Sequence, residues 1–448
     1  MTTTLPPEQI RRLIVIRAND PRPMHAWAGT RMTDAPLEAL TWSRRARTAD
    51  PLAAPPRQRE ALALWHLGRA AEADIAGRRC VLLDPGDWHA WINIGNVKKR
   101  LGDSAFALRT CAWSKAAGAP FVMAGMNAAV LHLRRGDFEA GWPLYRARHG
   151  TLGADPASVW PDLPEWDGRP IGGRLRLLTE QGIGDTIMFL TLVSAVRDRV
   201  GSLTLLVNQR LRSLVRRSFP DVQVVAPDTD GVLEPLPVAK AWICAGDLPA
   251  TLGLFTGGTV RPSSYLSVDP EHRRMIRARL QRRHPGKRLV GITWTSKAED
   301  GWRRTVHPSL WYPLSDIEDV ALVSLQYAAS AGDLAAFGDR LDIDHGVDPL
   351  VNLDGLAALV SAMDSVVSPP NNTVHFAGAL GIPSHVLLPV DPDWRWGEDG
   401  ADNLWYENTR LYRQRRDGDW VPVIAEVAGF LESKETMRRE RSIPQPTA

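Results

Sequence analysis

The chain is poor in cysteine, nearly balanced in charge and without a long apolar run. Its 448 residues include three cysteines, Cys80, Cys111 and Cys244. An odd number so widely spaced supplies neither a disulfide framework nor a metal cluster, and fits a reducing compartment. Lysine plus arginine (54) almost cancels aspartate plus glutamate (51), leaving +3. No field of one sign calls for nucleic acid or an anionic membrane. The longest apolar-rich stretch, IMFLTLVSAV, falls far below the roughly 20 residues that span a bilayer. The start, MTTTLPPEQIRRL, lacks the basic-then-apolar order of a secretory signal. The expectation is a soluble, cytoplasmic chain with no stable membrane insertion. Tyrosine (6) and phenylalanine (9) are outnumbered by tryptophan (17), which suggests aromatic surfaces used for more than core filling. At 44% hydrophobic and 23% charged, the composition is that of a globular protein and excludes a disordered or collagen-like one.

The first positive signal is a repeat. Gly68, Gly102 and Gly136 stand 34 residues apart, within HLGRAAEADIAGRRCVLLDP, RLGDSAFALRTCAWSKAAGAP and RRGDFEAGWPLYRAR. Pro85 and Pro120 fall near repeat ends, where a helix must stop. This period resembles the tetratricopeptide repeat (TPR), a helix–turn–helix whose glycine permits the turn and whose stacked pairs share one core. Three copies cover residues 54–150. Asn93 and Asn127, also 34 apart, lie on the first helices of successive copies. Such a ladder of amides can clamp an extended peptide, or each can bond the neighbouring repeat. The pair is the candidate acceptor-binding set.

Residues 1–53 read as a cap region with two helices, LPPEQIRRLIVIRA and APLEALTWSRRAR, closed by PLAAPP as a stiff break. Residues 151–170, rich in Pro, Gly and Trp, read as a linker that packs against the domain after it. Short apolar strands then alternate with helices. Candidate strands at 174–179, 203–207, 222–226 and 241–245 belong to a first unit, 171–270. Those at 288–294, 320–326, 364–368 and 384–389 belong to a second, 271–433. The basic helix 272–287 separates the two sets. The tail, 434–448, has no apolar period.

Four segments carry chemistry. TEQGIGDTIMFLTLVSAV follows the first strand, with a helix beginning near Asp185. Asp185 is either that helix's N-cap or a general base facing the cleft where open α/β sheets bind ligands. WTSKAEDGWRRTVHPSLW holds Lys297, Arg303 and Arg304 where a phosphate would sit, or else forms a solvated loop. In SVVSPPNNTVHFAGALGIP, Asn371 or Asn372 caps a short helix that ends at Gly381. Its first amides make a phosphate site, and His375 either donates to a phosphate or sugar hydroxyl or is a core histidine. DPDWRWGEDGADNLWYENTRLYRQ places Trp394, Trp396, Trp405, Tyr406 and Tyr412 on loops. They either stack on a ligand or, for most of them, staple loops to the sheet edge.

In this order, from PEWDG (164–168) to RLYRQ (410–414) and after TPR-like repeats, the segments resemble the bacterial TPR-containing glycosyltransferases related to the ADP-heptose:lipopolysaccharide heptosyltransferases. The resemblance implies α plus α/β architecture: helical repeats, then a GT-B fold of two Rossmann-like domains. It implies Asp185 as catalytic base. It also implies donor contacts from Gln181, Gly182, Gly184, Trp294, Lys297, Arg303, Arg304, Asn371, Asn372, Thr373 and His375. It departs where the family has Asp-Thr five and four residues before the histidine, positions held here by Pro370 and Asn371. The layout is also similar to O-linked GlcNAc transferase and the flagellin glycosyltransferases, which implies a nucleotide-sugar substrate, no cofactor or metal, and a protein acceptor such as flagellin. Two other expectations stay open: a non-catalytic scaffold, and an enzyme acting on lipopolysaccharide or capsule through the basic helix.

Overall fold

The structure is a computed structural model that describes residues 6–16, 19–151, 156–228, 232–254, 263–296 and 301–433. The chain divides into two compact units, Met1–His132 and Leu133–Ala448.

The first unit is helical: α1 (Pro7–Ile16), α2 (Pro21–Thr30), α3 (Pro36–Ala49), α4 (Ala54–His66), α5 (Ala70–Leu83), α6 (Trp88–Arg100) and α7 (Ser104–Ala116), with α8 (Phe121–Arg134) running into the second unit. Local chemistry sets the ends. Asp20, Asp87 and Asp103 accept first-turn amides of α2, α6 and α7, as N-caps do. The period-34 glycines carry the turns, with φ of 78° at Gly68, 79° at Gly102 and 76° at Gly136, a region that side chains avoid. Small residues let the helices approach: a Cβ on Gly77 would lie 2.7 Å from Ile94 Cγ1. The Lys98 ammonium, buried, reaches Asp74 on α5 at 2.9 Å.

Two expectations about this region need correction. The stretch 51–56 is a shorter break than its prolines imply, because α4 starts at Ala54 and takes Pro55 and Pro56 into its first turn. There a missing N–H removes no helical bond. The first 53 residues also hold a third helix, α2, which two prolines in PRPMHAWAGT obscure.

The second unit continues with α9 (Phe138–Tyr145), capped by Asp137, and α10 (Pro156–Val159). Next come β1 (Ile171–Leu178), α11 (Ile183–Leu190), α12 (Val193–Arg197), β2 (Val200–Leu206), α13 (Arg212–Ser218), β3 (Gln223–Val225), β4 (Ala241–Cys244) and α14 (Leu248–Thr251). After α15 (Pro270–Arg283) follow β5 (Arg288–Ile292), α16 (Tyr312–Ser315), β6 (Val320–Ser324), α17 (Ala331–Phe337), β7 (Leu341–Asp342), α18 (Leu353–Ser361) and β8 (Ser365–Ser368). Last are α19 (Asn372–Ala379), β9 (Ser384–Leu388), β10 (Thr409–Arg413) and α20 (Val421–Glu432).

The strands form two parallel sheets, ordered β3-β2-β1-β4 and β10-β9-β8-β5-β6-β7. Helices on both faces explain why β6, β8 and β9 are buried at every position. All eight strands expected from sequence are present; β7 and β10 are additional. The second order is that of a Rossmann sheet, reversing between β5 and β8. The first reverses between β1 and β4. Ligands of such sheets bind beyond the carboxyl ends at those reversals. In the linker, the Trp166 amide donates to Trp242 O at 2.8 Å and the ring is buried.

The basic helix is mostly committed to packing. On α15, Ile276 and Leu280 are buried, Arg277 pairs with Asp364 at 2.9 Å, Arg279 with Asp344 at 2.7 Å and Arg283 with Asp342 at 2.9 Å. Arg273 donates to Ser361 O at 2.9 Å. The free basic face expected for a lipid-linked acceptor is therefore largely spoken for.

Candidate active site

Two strand-to-helix turns, β1–α11 and β8–α19, meet at the carboxyl ends of their sheets. The helix after β1 starts two residues earlier than the sequence suggests. Gly182 is its N-cap, and Asp185 sits one turn in, its Oδ2 accepting the Gly182 amide at 3.3 Å. This is the returning half of a capping box. The other oxygen, Oδ1, is ion-paired with Arg395, which also reaches Asp393 at 2.5 Å. Burial disfavours the Arg395 cation, but these carboxylates raise its pKa well above the usual arginine value. Before the helix, Gln181 has φ 69°, a conformation that costs a non-glycine residue about 1–3 kcal/mol and collects at functional sites.

Across the gap, Asn371 caps α19. Its Oδ1 accepts from the Thr373 amide at 2.9 Å, and its amide donates to Thr293 Oγ1 at 2.8 Å and Thr295 O at 3.3 Å. Asn371 thus ties the β8 loop to the end of β5, and its side chain has little left for a ligand. Thr373 is fully buried, and its hydroxyl meets no hydrogen-bond partner among the described residues. His375 is buried with Nδ1 2.8 Å from the Tyr406 hydroxyl. A Cβ on Gly184 would lie 2.7 Å from His375 Cδ2, 3.1 Å from Nε2 and 3.2 Å from Asn372 Oδ1. Gly184, Asp185, Asn372 and His375 are therefore brought together. Gly184→Val should push α11 from α19 and cost about 1–3 kcal/mol, seen as a lower urea midpoint; an unchanged midpoint would refute this close approach.

The remaining candidates separate. Arg304 donates to Pro370 O at 3.5 Å and belongs to the β8–α19 loop. Arg303 is buried and faces Asp391 at 3.6 Å, an acid that also pairs with Arg134. Trp294 departs from its expected role: its ring is fully buried in the second sheet's core, 4.8 Å from Phe337. It follows β5 so closely that it faces inward with that strand's core residues. Lys297 lies outside the described residues. In the first unit Asn93 is half-buried, and Asn127 donates its amide to Met123 O of its own helix at 2.8 Å.

Several neighbours carry no signal of their own in the sequence. Arg148 is fully buried, 2.8 Å from Glu180 and 2.7 Å from Asp247; His149 Nε2 lies 2.9 Å from Asp247. Tyr145 donates to Gln181 Oε1 at 3.0 Å. The last repeat helix and the turn after it thus brace the loop that carries Asp185. His149, Cys244 and Asp247 lie within 4.8 Å of one another. Arg148 already balances that carboxylate, and burial raises the Cys244 thiol pKa, so the trio reads as an ion-pair network rather than a metal site. The segment 391–414 is mainly a staple: Trp394, Trp396, Tyr406 and Tyr412 are buried, and Trp394 packs 5.4 Å from Trp142 and 5.3 Å from Tyr145. Trp405 is half-buried beside an apolar pocket lined by Phe138, Trp142, Leu192 and Pro249.

Burial lowers the pKa of His375 to about 4 and of His385 to about 3. Unfolded histidine titrates near 6.5, so below that pH the unfolded chain binds protons that the native state refuses. Stability should fall as pH drops from about 6.5, by up to about 2.7 kcal/mol per pH unit for the two together. Urea midpoints at pH 7, 6 and 5 check this; a flat series contradicts it.

No protein-family model matches the chain. It is 29% identical over 417 residues to Protein FlbA of Caulobacter vibrioides, covering 88% of this chain and 70% of that protein. In structure it is similar to Escherichia coli ADP-heptose lipopolysaccharide heptosyltransferase II, with TM-score 0.42, 14% identity, and 60% of this chain and 100% of that one covered. It is also similar to Thermobaculum terrenum O-GlcNAc transferase, with TM-score 0.35, 16% identity, and 95% and 92% covered. The described residues form a helical region followed by two parallel sheets with helices on both faces.

Proposed function

We propose that the chain is a metal-independent, inverting glycosyltransferase. It moves a sugar from a nucleotide-sugar to a Ser or Thr hydroxyl of a protein held by the repeats at 54–150, in the cytoplasm, with flagellin the acceptor by analogy of layout. The observation that supports it most is the meeting of the Asp185 turn with the α19 start at the carboxyl ends of two parallel sheets. In this reading the half at 271–433 holds the donor. The amide at Asn372, at the start of α19, and the Arg304 guanidinium face the diphosphate and stabilise it as it leaves. Asp185, ion-paired with Arg395, takes the proton of the acceptor hydroxyl as that oxygen attacks the anomeric carbon.

Co-expression with the flagellins of the same genome, followed by intact-mass analysis, tests it. A glycosyl increment on Ser or Thr that needs the enzyme supports the reading; unmodified flagellin in the presence of the donor removes that acceptor. A non-catalytic scaffold is the second reading, favoured because both Asp185 oxygens are already engaged. A scaffold would leave every co-expressed protein at its unmodified mass.

A further inference from the structure

The register that relates Asn127 to Asn93 continues towards the amino terminus. A further step of 34 residues reaches Arg59, and another reaches His25. The four residues lie on α8, α6, α4 and α2, and each is half-buried. The same step carries the spans of α4 and α5 onto α2 and α3, so the first unit opens with a further helix pair in register with the repeats. The rungs are not used to bond the neighbouring repeat. Asn93, Arg59 and His25 make no hydrogen bond or ion pair among the described residues, and Asn127 donates only to its own helix.

Arg59 stands out among them. Its guanidinium crosses from α4 onto α2, where a Cβ on Gly29 would lie 3.3 Å from Cζ and 3.4 Å from Nη2. Gly29 is one helical turn from His25. The Arg59 Nε and the His25 Nδ1 are both buried and without a partner among the described residues. Glu60, the adjacent acid, is committed to Arg44 and Arg47 of α3 at 3.0 and 3.3 Å. Burial lowers the Arg59 pKa, and burial followed by the Arg59 charge lowers that of His25 to about 4, so the imidazole is neutral at pH 7. Arginine offers a planar fork of donors and no acceptor. Holding it half-buried and unpaired costs free energy that a bound anion would offset.

We infer that the repeats hold an extended acceptor segment over a ladder of four rungs, and that Arg59, beside His25, selects a carboxylate on that segment. Asn93 and Asn127 meet backbone amides, which every sequence offers. The Arg59 fork matches the two oxygens of an Asp or Glu side chain, and the neutral imidazole adds one N–H. The acceptor class is thereby narrowed to proteins with an acidic residue in the bound segment. The identity of the ligand rests on the protein-acceptor reading, whereas the unpaired guanidinium does not.

Selection of random displayed dodecapeptides on the full-length protein tests this without assuming flagellin. Wild type should enrich peptides carrying Asp or Glu, and Arg59→Gln should lose that preference. A selected peptide should bind wild type about tenfold more tightly than its amide copy, with Glu replaced by Gln or Asp by Asn, as for a charge-assisted hydrogen bond. The two copies should bind Arg59→Gln equally. Arg59→Gln should melt no lower than wild type, because it strands no partner; a fall of several degrees would make Arg59 a structural residue and overturn the inference. Enrichment without acidic preference, or a preference that survives in Arg59→Gln, also overturns it. If wild type selects no peptide, the ladder is not a peptide site and the inference falls, while nucleotide binding by the same protein decides the glycosyltransferase reading separately.

Discussion

Arg148→Met is expected to lower the melting temperature by roughly 6–20 °C. The guanidinium is fully buried between Glu180 and Asp247, with side-chain exposures of 2%, 5% and 1%. Removing one partner from a buried ionic group leaves uncompensated charge, a loss of about 3–5 kcal/mol. At about 2–4 °C per kcal/mol this gives the stated range. Methionine keeps most of the volume, so the effect reports charge rather than a cavity. Neutralising both acids as well, with Glu180→Gln and Asp247→Asn, should recover much of the loss, because the cost lies in the stranded carboxylates. A drop below about 2 °C, or no recovery, would mean that water reaches the cluster and the brace is weak. Acid should act in the same direction. Burial raises the Asp247 pKa, but the His149 bond and Arg148 outweigh it and hold it down at about 2. Its contribution is present above the unfolded value near 3.9 and lost as pH falls towards 2.

Asp185→Asn is expected to fold and to lose transfer by about 10²–10⁴-fold, the usual contribution of a positioned base. The variant keeps an oxygen for the Gly182 amide, and Arg395 keeps Asp393, so its melting temperature should move by only a few degrees. Nucleotide binding should be unchanged, since the proposed diphosphate contacts lie on α19 and Arg304. Full turnover in this variant would reduce Asp185 to a cap and an ion-pair partner. Loss of nucleotide binding along with activity would place Arg395 and its two acids in donor recognition rather than in the acceptor's deprotonation.

Much of the fold was legible in the sequence because it depends on local signals. The period-34 glycines sit where left-handed turns are required, and buried parallel strands read as apolar runs. β7 was invisible at two residues, and β10 was masked by the aromatic loop before it. The strand-to-helix turns after β1 and β8 were legible from Gly182, Gly184 and the paired asparagines, although α11 starts two residues before the expected Asp185. What Asp185 and His375 do there depends on Arg395 and Tyr406, 210 and 31 residues away. Within DPDWRWGEDG the tryptophans drew attention as aromatic surface, while the arginine between them is the group that reaches Asp185. The Arg148 cluster has no local signal, because its partners lie 32 and 99 residues distant. Trp294 shows the opposite failure: an aromatic at the head of a basic loop suggests a stacking surface, yet it continues the buried face of its strand.

The central claim, a nucleotide-sugar site at the β8–α19 turn, is tested most directly by thermal shift. CMP, UDP, GDP, ADP and dTDP, with their sugar conjugates, would be titrated against wild type and Arg304→Ala. At 100 times its dissociation constant a ligand stabilises by about 2.7 kcal/mol, or roughly 5–11 °C. The account predicts such a shift for one nucleotide in the wild type and a clearly smaller one in the variant. A flat panel on folded wild-type protein, or an equal shift in both, would contradict it.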